Sequence, residues 1–239
     1  MAPKPRESLE GLRSELRIEL TPSQSVTALA YATPPENRAG VTLILGHGAG
    51  AGQTSGFMVD LATALVSRGI DTVTFNFSYL EHGRRVPDPN DTLEACYRSV
   101  VETLRKHRTL GQNPLAIGGK SMGGRIASQI AAADPDLCGL ILLGYPLHPP
   151  GRPEKLRAWH LGKIQAPMLF IQGSRDAFGT PNELEPIVKK LKPPVTLYVV
   201  EGGDHSFKVP KSSGRPQQEV FEAVYDRIGA WIRETRGTR

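Results

Sequence analysis

A serine at the centre of a glycine-rich segment is the residue of this chain best placed for covalent chemistry. Ser121 lies in GGKSMGG, with Gly119 two residues before it and Gly123 two residues after it. An apolar run at residues 115–117 precedes the segment, and apolar residues at helical spacing follow it. The pattern predicts a strand, a tight turn and a helix, with a nucleophilic serine at the apex. The alternative is a glycine-rich connection without chemistry, so the serine needs partners.

Such a serine requires a base, and the base requires an acid that orients it. His205 follows an apolar run at residues 195–200, and Asp176 follows another at residues 167–172. Both come after the serine, in the order serine, acid, histidine. Asp204 is the alternative acid, but adjacent residues in a turn usually point apart, so Asp176 is preferred. The spacing therefore predicts a catalytic triad, whereas the alternative is an exposed loop histidine and a turn aspartate.

Attack on a carbonyl carbon would create an oxyanion, which two backbone N–H groups should stabilise. The residue after the nucleophile, Met122, would provide the first. The loop HGAGAG follows the apolar run at residues 41–45 and would provide the second, from Ala49 or alternatively from Gly50. A flexible connector is the other interpretation of this loop. His47 is predicted to brace the loop and not to act as an acid or base.

Further side chains beyond predicted strand ends are candidates for contacts with a substrate. They are Tyr79, Arg84, His148, Phe178 and Phe207. Arg84 and its neighbour Arg85 could instead brace their own loop through a nearby carboxylate. Lys120 and Arg125 flank the serine, and for them surface charges of the helix are the alternative.

These candidates require a sheet that brings the ends of distant strands together. Strand and helix patterns alternate from residue 41 onward, which predicts parallel strands with helices on both faces of one sheet. Two alternating segments before residue 41 predict an antiparallel start. Ligand sites in such sheets lie at the carboxyl ends of strands. The predicted strands are residues 16–20, 26–31, 41–45, 71–77, 115–117, 137–143, 167–172 and 195–200, and three of the predicted helices are residues 57–66, 183–191 and 217–233.

The remaining segments set the domain boundaries. Residues 1–12 are polar and are predicted to form a flexible tail, and residues 13–239 a single domain. Residues 78–89 are predicted to be a long loop. A helix follows, with Asp91 as its N-cap and Glu94 completing a capping box.

Composition limits the partners and the compartment. The net charge of +5 comes without a basic stripe carrying interleaved aromatic residues, which argues against nucleic-acid binding. No apolar run reaches the length of a membrane span, and the first residues lack the apolar core of a signal peptide. Cys96 and Cys138 lie among apolar residues and are predicted to be buried core residues. We expect a cytoplasmic protein without metal or cofactor, either a monomer or a dimer.

Four segments together resemble landmarks of the α/β-hydrolase superfamily over about residues 15–232: HGAG, GKSMGGR, GSRDAFG and GGDHSF. The likeness is closer to the dienelactone-hydrolase-like group. Within it, FNFSYLEHGRRVPDP and LGYPLHPPGRPEKLR resemble the branch that contains testis-expressed protein 30. The resemblance implies an α/β-hydrolase fold, with a mostly parallel sheet of about eight strands and helices on both faces.

The resemblance also implies an activity, hydrolysis of small or accessible esters, or thioesters, through an acyl-enzyme on Ser121. Dienelactone hydrolases carry a cysteine nucleophile at this position, so the serine disfavours lactone chemistry. Relatives with a helical lid carry it between the strands that end near residue 143 and begin near residue 167. Here that segment is short and proline-rich, which predicts a minimal lid and an open, shallow site. A peptidase or thioesterase is an alternative, and so is a non-catalytic interaction module, because the branch also resembles a subunit of a chromatin acetyltransferase complex.

Overall fold

A single eight-stranded sheet organises the part of the chain that the structure describes. The computed structural model describes residues 13–236, so the tail predicted for residues 1–12 lies outside the described residues, as do residues 237–239. The strands are β1 (Arg13–Thr21), β2 (Gln24–Tyr31), β3 (Thr42–Gly46), β4 (Asp71–Phe75), β5 (Leu115–Lys120), β6 (Gly139–Leu143), β7 (Met168–Gly173) and β8 (Val195–Val200). The assignment of residues 13–239 to one domain stays a prediction.

The sheet runs in the order β1-β2-β4-β3-β5-β6-β7-β8. The pairs β1–β2 and β2–β4 are antiparallel, and every pair from β4 to β8 is parallel. The carboxyl ends of β3, β5, β7 and β8 therefore lie along one edge. The α-helices of the described residues are α1 (Gly56–Val66), α2 (Ser78–Glu81), α3 (Asn90–Arg105), α4 (Met122–Ala131), α5 (Pro181–Val188) and α6 (Gln217–Arg236).

Alternate residues of the central strands pack into two separate cores. Ile44 and Ile117 belong to the core formed with α3, α4 and α5. Leu43 and Ala116 belong to the opposite core, formed with α1 and α6. Because successive strand side chains point to opposite faces, this division places helices on both faces of the sheet. The predicted fold class is confirmed.

Two details of the predicted elements are wrong. The loop predicted for residues 78–89 begins with the short helix α2. Helix α3 begins at Asn90, with Pro89 at the N-cap and its carbonyl accepting from the Leu93 N–H at 3.1 Å. Asp91 therefore lies inside the first turn, where its charge still favours the positive end of the helix dipole. A capping box does exist at the start of α5, where Thr180 pairs with Glu183.

The structure also bears on the predicted burial of the two cysteines and on membrane spans. Cys96 is buried as predicted, whereas Cys138 is partly exposed, and the two do not form a disulfide. Between residues 13 and 236, no helix combines the length and the apolar character needed to cross a bilayer.

Candidate active site

The turn between β5 and α4 holds Ser121 in a strained backbone conformation. Its φ is 51° and its ψ is −115°, a region that non-glycine residues rarely adopt. The Ser121 N–H donates to the Leu143 carbonyl at 2.9 Å, and its own carbonyl accepts from the Arg125 N–H in α4. Strain of this kind costs about 1–3 kcal/mol and persists only where surrounding structure enforces it.

Gly119 and Gly123 make this turn possible. A Cβ at Gly119 would collide with the Gly46 carbonyl oxygen and would lie 2.8 Å from the carbonyl carbon of Gly123. A Cβ at Gly123 would collide with the Gly46 carbonyl group and come within 2.7 Å of the His47 oxygen. The end of β3 thus packs directly on the turn, which explains the glycine two residues before and two residues after the serine.

The structure brings the three predicted triad residues together. His205 Nε2 lies 2.8 Å from Ser121 Oγ. His205 Nδ1 lies 2.8 Å from Asp176 Oδ2 and 3.0 Å from Oδ1. Since a carboxylate only accepts, Nδ1 carries the hydrogen of a neutral imidazole, and Nε2 is free to accept the serine proton.

Two donors besides His205 hold the Asp176 carboxylate in place. Its side chain is fully buried, accepting from Gln172 Nε2 at 2.9 Å and from the Phe178 N–H at 2.8 Å. The Gln172 amide is itself held, because its Oε1 accepts from the Tyr145 N–H at 2.8 Å. Sequence reasoning missed Gln172, although a polar residue within the apolar run of β7 was a signal for it.

Asp204, the alternative acid, makes other contacts. Its carboxylate accepts from the Ser206 N–H at 2.8 Å and from the Lys208 N–H at 2.9 Å. It therefore closes its own loop, and the geometry places Asp176 beside the histidine. In the same loop Phe207 has a positive φ of 61°, so this turn is also strained.

Lys120 is not a free surface charge, contrary to one interpretation of the sequence. Its Nζ donates to the His205 carbonyl at 2.6 Å and lies 5.5 Å from the centre of the Phe207 ring. Burial lowers the pKa of the lysine to about 8, although Asp176 and Asp204 act in the opposite direction. Lys120 thus ties the histidine loop to the end of β5.

The imidazole of His205 is also covered on one face. The Phe178 ring lies 4.2 Å from it, centre to centre, at an angle of 31°. The side chain of His205 remains 22% exposed. Packing against Phe178 therefore limits rotation of the imidazole while leaving it open to solvent and substrate.

His47 braces the loop after β3, as predicted. Its Nε2 accepts from the Phe77 N–H at 3.2 Å, and its Nδ1–H donates to the Gly48 carbonyl at 2.8 Å. Both bonds use the neutral imidazole, and burial lowers the pKa of His47 to about 4. The histidine is fully buried, so it connects this loop to the end of β4 without facing the site.

Two peptide units of this loop are oriented by their carbonyl groups. The Gly48 carbonyl accepts from His47 and, at 3.2 Å, from the Ala51 N–H, while the Ala49 carbonyl accepts from Tyr79 Oη at 3.1 Å. In a trans peptide the N–H points opposite to the carbonyl. The N–H groups of Ala49 and Gly50 therefore point away from these partners, and both remain candidates for the oxyanion site.

Met122 presents the other predicted donor. It is the first residue of α4, where an N–H group has no partner inside the helix. The loop after β3 lies close by, since a Cβ at Gly48 would be 3.7 Å from the Ser121 Cβ. The positive end of the α4 dipole thus adjoins the serine, an arrangement suited to a developing negative charge.

Two cavities meet at the serine and share Ala49, Ser121 and Phe178. The larger has a volume of about 590 Å³ and is walled by Phe57 from α1 and Phe221 from α6. The smaller has a volume of about 250 Å³. The segment predicted to form a minimal lid contains one short 3-10 turn, Leu161–Lys163.

One of the five candidates for substrate contacts lines the cavities at Ser121, and the other four do not. Phe178 lines both cavities, but the other four lie outside the described walls. Tyr79 and Phe207 are fully buried, and Tyr79 supports the Ala49 peptide. Arg84 pairs with Asp88 at 2.7 Å, so it braces its loop. His148 is buried, with Nε2 lying 3.2 Å from Glu183.

No group of side chains able to hold a metal ion is found in the described part of the chain. Within residues 13–236, the site brings together a serine hydroxyl, an imidazole, a carboxylate and backbone N–H groups. Such an arrangement can add a hydroxyl oxygen to an acyl carbon and shuttle its proton.

Comparison with known proteins places this arrangement in a familiar fold. A family model described as alpha/beta hydrolase domain matches residues 39–233. An alpha-beta serine hydrolase homologue from Coxiella burnetii is 21% identical, covering 90% of this chain and 96% of that one, with a TM-score of 0.70. An α/β serine hydrolase without lid from Xanthomonas campestris is 24% identical, covering 90% and 92%, with a TM-score of 0.69. Dienelactone hydrolase from Anabaena variabilis is 18% identical, covering 92% and 97%, with a TM-score of 0.70.

Proposed function

This chain belongs to the alpha/beta hydrolase domain family, and we propose that it is a serine hydrolase that cleaves carboxylic esters through an acyl-enzyme on Ser121. One observation carries the proposal, the hydrogen-bonded series from Ser121 through His205 to Asp176, with a shortest distance of 2.8 Å at each step. Thioesters are included, because their acyl carbon is attacked in the same way.

The first half of the reaction forms the acyl-enzyme. His205 Nε2 takes the proton of Ser121 as its Oγ bonds to the carbonyl carbon of the ester. Asp176 holds the imidazole in the required tautomer and stabilises the imidazolium. The proton then passes from Nε2 to the alcohol oxygen as the carbon–oxygen bond breaks, and the alcohol leaves.

The second half releases the acid. A water molecule gives a proton to His205 Nε2 and attacks the acyl carbon, and Ser121 Oγ recovers that proton as it leaves. In both halves the carbonyl oxygen carries a negative charge in the tetrahedral state. The N–H of Met122 and that of Ala49 or Gly50 would stabilise this charge. Removal of one such donor typically lowers kcat by about 10²–10³-fold.

The shape of the site favours small or accessible esters. No helix longer than a single 3-10 turn lies between β6 and β7, and the larger cavity opens to solvent beside His205. A substrate would not need to displace a lid. Short acyl chains, or the exposed end of a larger molecule, would therefore reach Ser121 directly.

Labelling with a fluorophosphonate probe tests the nucleophile. The wild-type protein should be labelled at one site, because the probe phosphonylates an activated serine, and Ser121→Ala should not be labelled. Mass spectrometry of the labelled peptide identifies the residue. An unlabelled wild type, or equal labelling of the variant, would indicate a non-catalytic interaction module on the same fold.

Paired aspartate variants test the acid. Asp176→Asn should lower kcat for 4-nitrophenyl acetate on the order of 10³-fold or more, because the imidazole loses the partner that sets its tautomer. Asp204→Asn is the matched control, since its amide oxygen can still accept from the Ser206 and Lys208 N–H groups. A larger loss of kcat in Asp204→Asn than in Asp176→Asn would contradict the assignment of Asp176 as the acid.

Narrower parts of the proposal rest on the sequence. FNFSYLEHGRRVPDP and LGYPLHPPGRPEKLR support a place in the dienelactone-hydrolase-like group beside testis-expressed protein 30. The two cysteines lie among apolar residues of the sequence, which supports a cytoplasmic location. A small-molecule ester is the proposed partner, with neither nucleic acid nor membrane.

A further inference from the structure

The smaller cavity differs in chemistry from the larger one. It lies between α3, α4 and the segment after β6, and Arg125 and Arg157 line it together with Asn90 and Pro146. The larger cavity is walled by aromatic rings from α1 and α6, with exposed Asp60 and Lys208 at its rim. The nucleophile Ser121 belongs to both, so a bound ester would extend from an apolar surface into a basic one.

Two guanidinium groups approach each other in the smaller cavity. Both arginines are partly buried, and the pKa of Arg125 is lowered by burial and by the charge of Arg157. Within residues 13–236, neither guanidinium forms a salt bridge with a carboxylate. Two like charges held at partial burial, without a carboxylate in direct contact, favour the binding of an anion.

The neighbouring groups position this charge and offset it only in part. The charge of Glu94 acts on Arg125, but its carboxylate accepts from Asn90 Nδ2 at 2.6 Å and pairs with Arg98 at 3.4 Å. Arg125 Nη1 donates to Asn90 Oδ1 at 2.7 Å and to Gln129 Oε1 at 3.3 Å, both neutral acceptors. Asp88 also lines the cavity, but its carboxylate is paired with Arg84 at 2.7 Å and accepts from Ser78 Oγ at 2.8 Å. The charge of Asp88 is therefore already compensated outside the arginine pair.

We propose that the smaller cavity binds an anionic oxygen group of the substrate, a carboxylate or a phosphate, through Arg125 and Arg157. The enzyme would then act on esters that carry an anion on one side of the scissile bond and an apolar group on the other. Guanidinium groups suit this task because their planar donors match carboxylate and phosphate oxygens. The inference rests on the proposed function and names its substrate class.

Matched ester pairs test this selectivity, with kcat/KM as the measurement. One pair places a carboxylate on the acyl side, 4-nitrophenyl hydrogen succinate against 4-nitrophenyl butanoate. Two more place the anion on the alcohol side, 4-acetoxybenzoate and 4-acetoxyphenyl phosphate, each against phenyl acetate. The wild type should prefer the anionic member of at least one pair by about tenfold or more, the effect of a charge-assisted hydrogen bond. The pairs also separate carboxylate from phosphate.

Arg157→Gln is the informative variant, because the hydrogen bonds to Leu147 and Tyr145 that hold the segment come from the Arg157 backbone, which the substitution leaves unchanged. It should lose about tenfold on the preferred anionic ester and change little on the neutral one, and Arg157→Lys should keep part of the preference. Arg152→Gln is the matched control, since Arg152 is exposed on the same segment and outside the cavity.

Three outcomes would overturn the inference. They are no anionic preference in the wild type, an equal loss on both esters in Arg157→Gln, and the same selective loss in Arg152→Gln. Its failure is distinguishable from failure of the proposed function. If neutral esters are hydrolysed but anionic esters are not preferred, the proposed Ser121 chemistry stands and the anion site is refuted. If no ester is hydrolysed and the fluorophosphonate probe does not label the protein, the proposed function and the anion site are both refuted.

Discussion

Single residues away from the reacting atoms decide how the proposed triad is held. Gln172 and the Phe178 N–H both donate to Asp176, so each oxygen of the buried carboxylate accepts a hydrogen bond in addition to those from His205. A buried charge without such donors would be costly. Gln172, which no sequence motif contains, is therefore as much a part of the arrangement as the aspartate.

His160 illustrates a buried histidine with a structural role. It is 2% exposed, with Nε2 lying 2.8 Å from Ser128 Oγ, and within residues 13–236 its Nδ1 has no hydrogen-bond partner. Since Ser128 Oγ donates to the Arg125 carbonyl, Nε2 carries the hydrogen and the ring is neutral. Burial, and then the charges of Arg125 and Lys163, lower its pKa to about 4.

Protonation of His160 should therefore destabilise the fold in acid. Between pH 6.5 and about 4 the unfolded chain binds a proton that the folded chain does not, so the free energy of unfolding falls as pH falls through this window. The contribution lost between pH 7 and pH 4.5 is about 2 kcal/mol. Urea unfolding at both pH values should show a smaller fall in His160→Phe than in wild type. An equal fall in the two proteins would refute this assignment.

At the scale of elements, the strand–turn–helix unit of β5 and α4 depends on its contact with β3. The pairing of Gly46 with Gly119 in the sheet places the end of β3 under the turn. Gly123, one residue inside α4, lies against the same carbonyl group. The strained serine is consequently held by backbone atoms of a neighbouring strand, which cannot move aside as a flexible side chain can.

Gly123→Ala should therefore unfold or strongly destabilise the protein, by at least about 3 kcal/mol, because the added methyl overlaps fixed backbone. Gly162→Ala is the control, since nothing lies within 4 Å of a Cβ at that position. Its effect should stay within about 0.5 kcal/mol. Thermal and urea unfolding followed by circular dichroism provide both values. A Gly123→Ala protein as stable as the control would contradict the packing argument.

Elements with a strong local sequence pattern were predicted correctly. Predictions were wrong where the local pattern was weak or fitted more than one helix start. Apolar runs located the central strands, and β8 was predicted at its observed limits, residues 195–200. The helix α2 was missed because its four residues carry no complete helical period. Helix α3 was given the wrong N-cap because Asp91 fits a capping pattern, whereas Pro89 accepts the first helical bond.

At the scale of the whole molecule, sheet topology explains why the proximity of Ser121, Asp176 and His205 could be predicted from the sequence. Parallel strands end at one edge, so residues that follow β5, β7 and β8 are brought together even though Ser121 and His205 are 84 positions apart. The walls of the two cavities were not predictable in the same way. They depend on how α1, α6 and the segment after β6 pack, and four of the five substrate-contact candidates proved to lie elsewhere.

Detection of the acyl-enzyme tests the central claim most directly. Wild-type protein mixed with 4-nitrophenyl acetate and quenched within milliseconds should show a burst of 4-nitrophenol close to one equivalent wherever deacylation is the slower step. Intact-mass and peptide analysis should then locate one acetyl group on Ser121. In His205→Ala the burst should slow on the order of 10³-fold or more, since the serine loses its base. Turnover by Ser121→Ala at the wild-type rate, or acetylation of a different residue as the competent intermediate, would contradict the account.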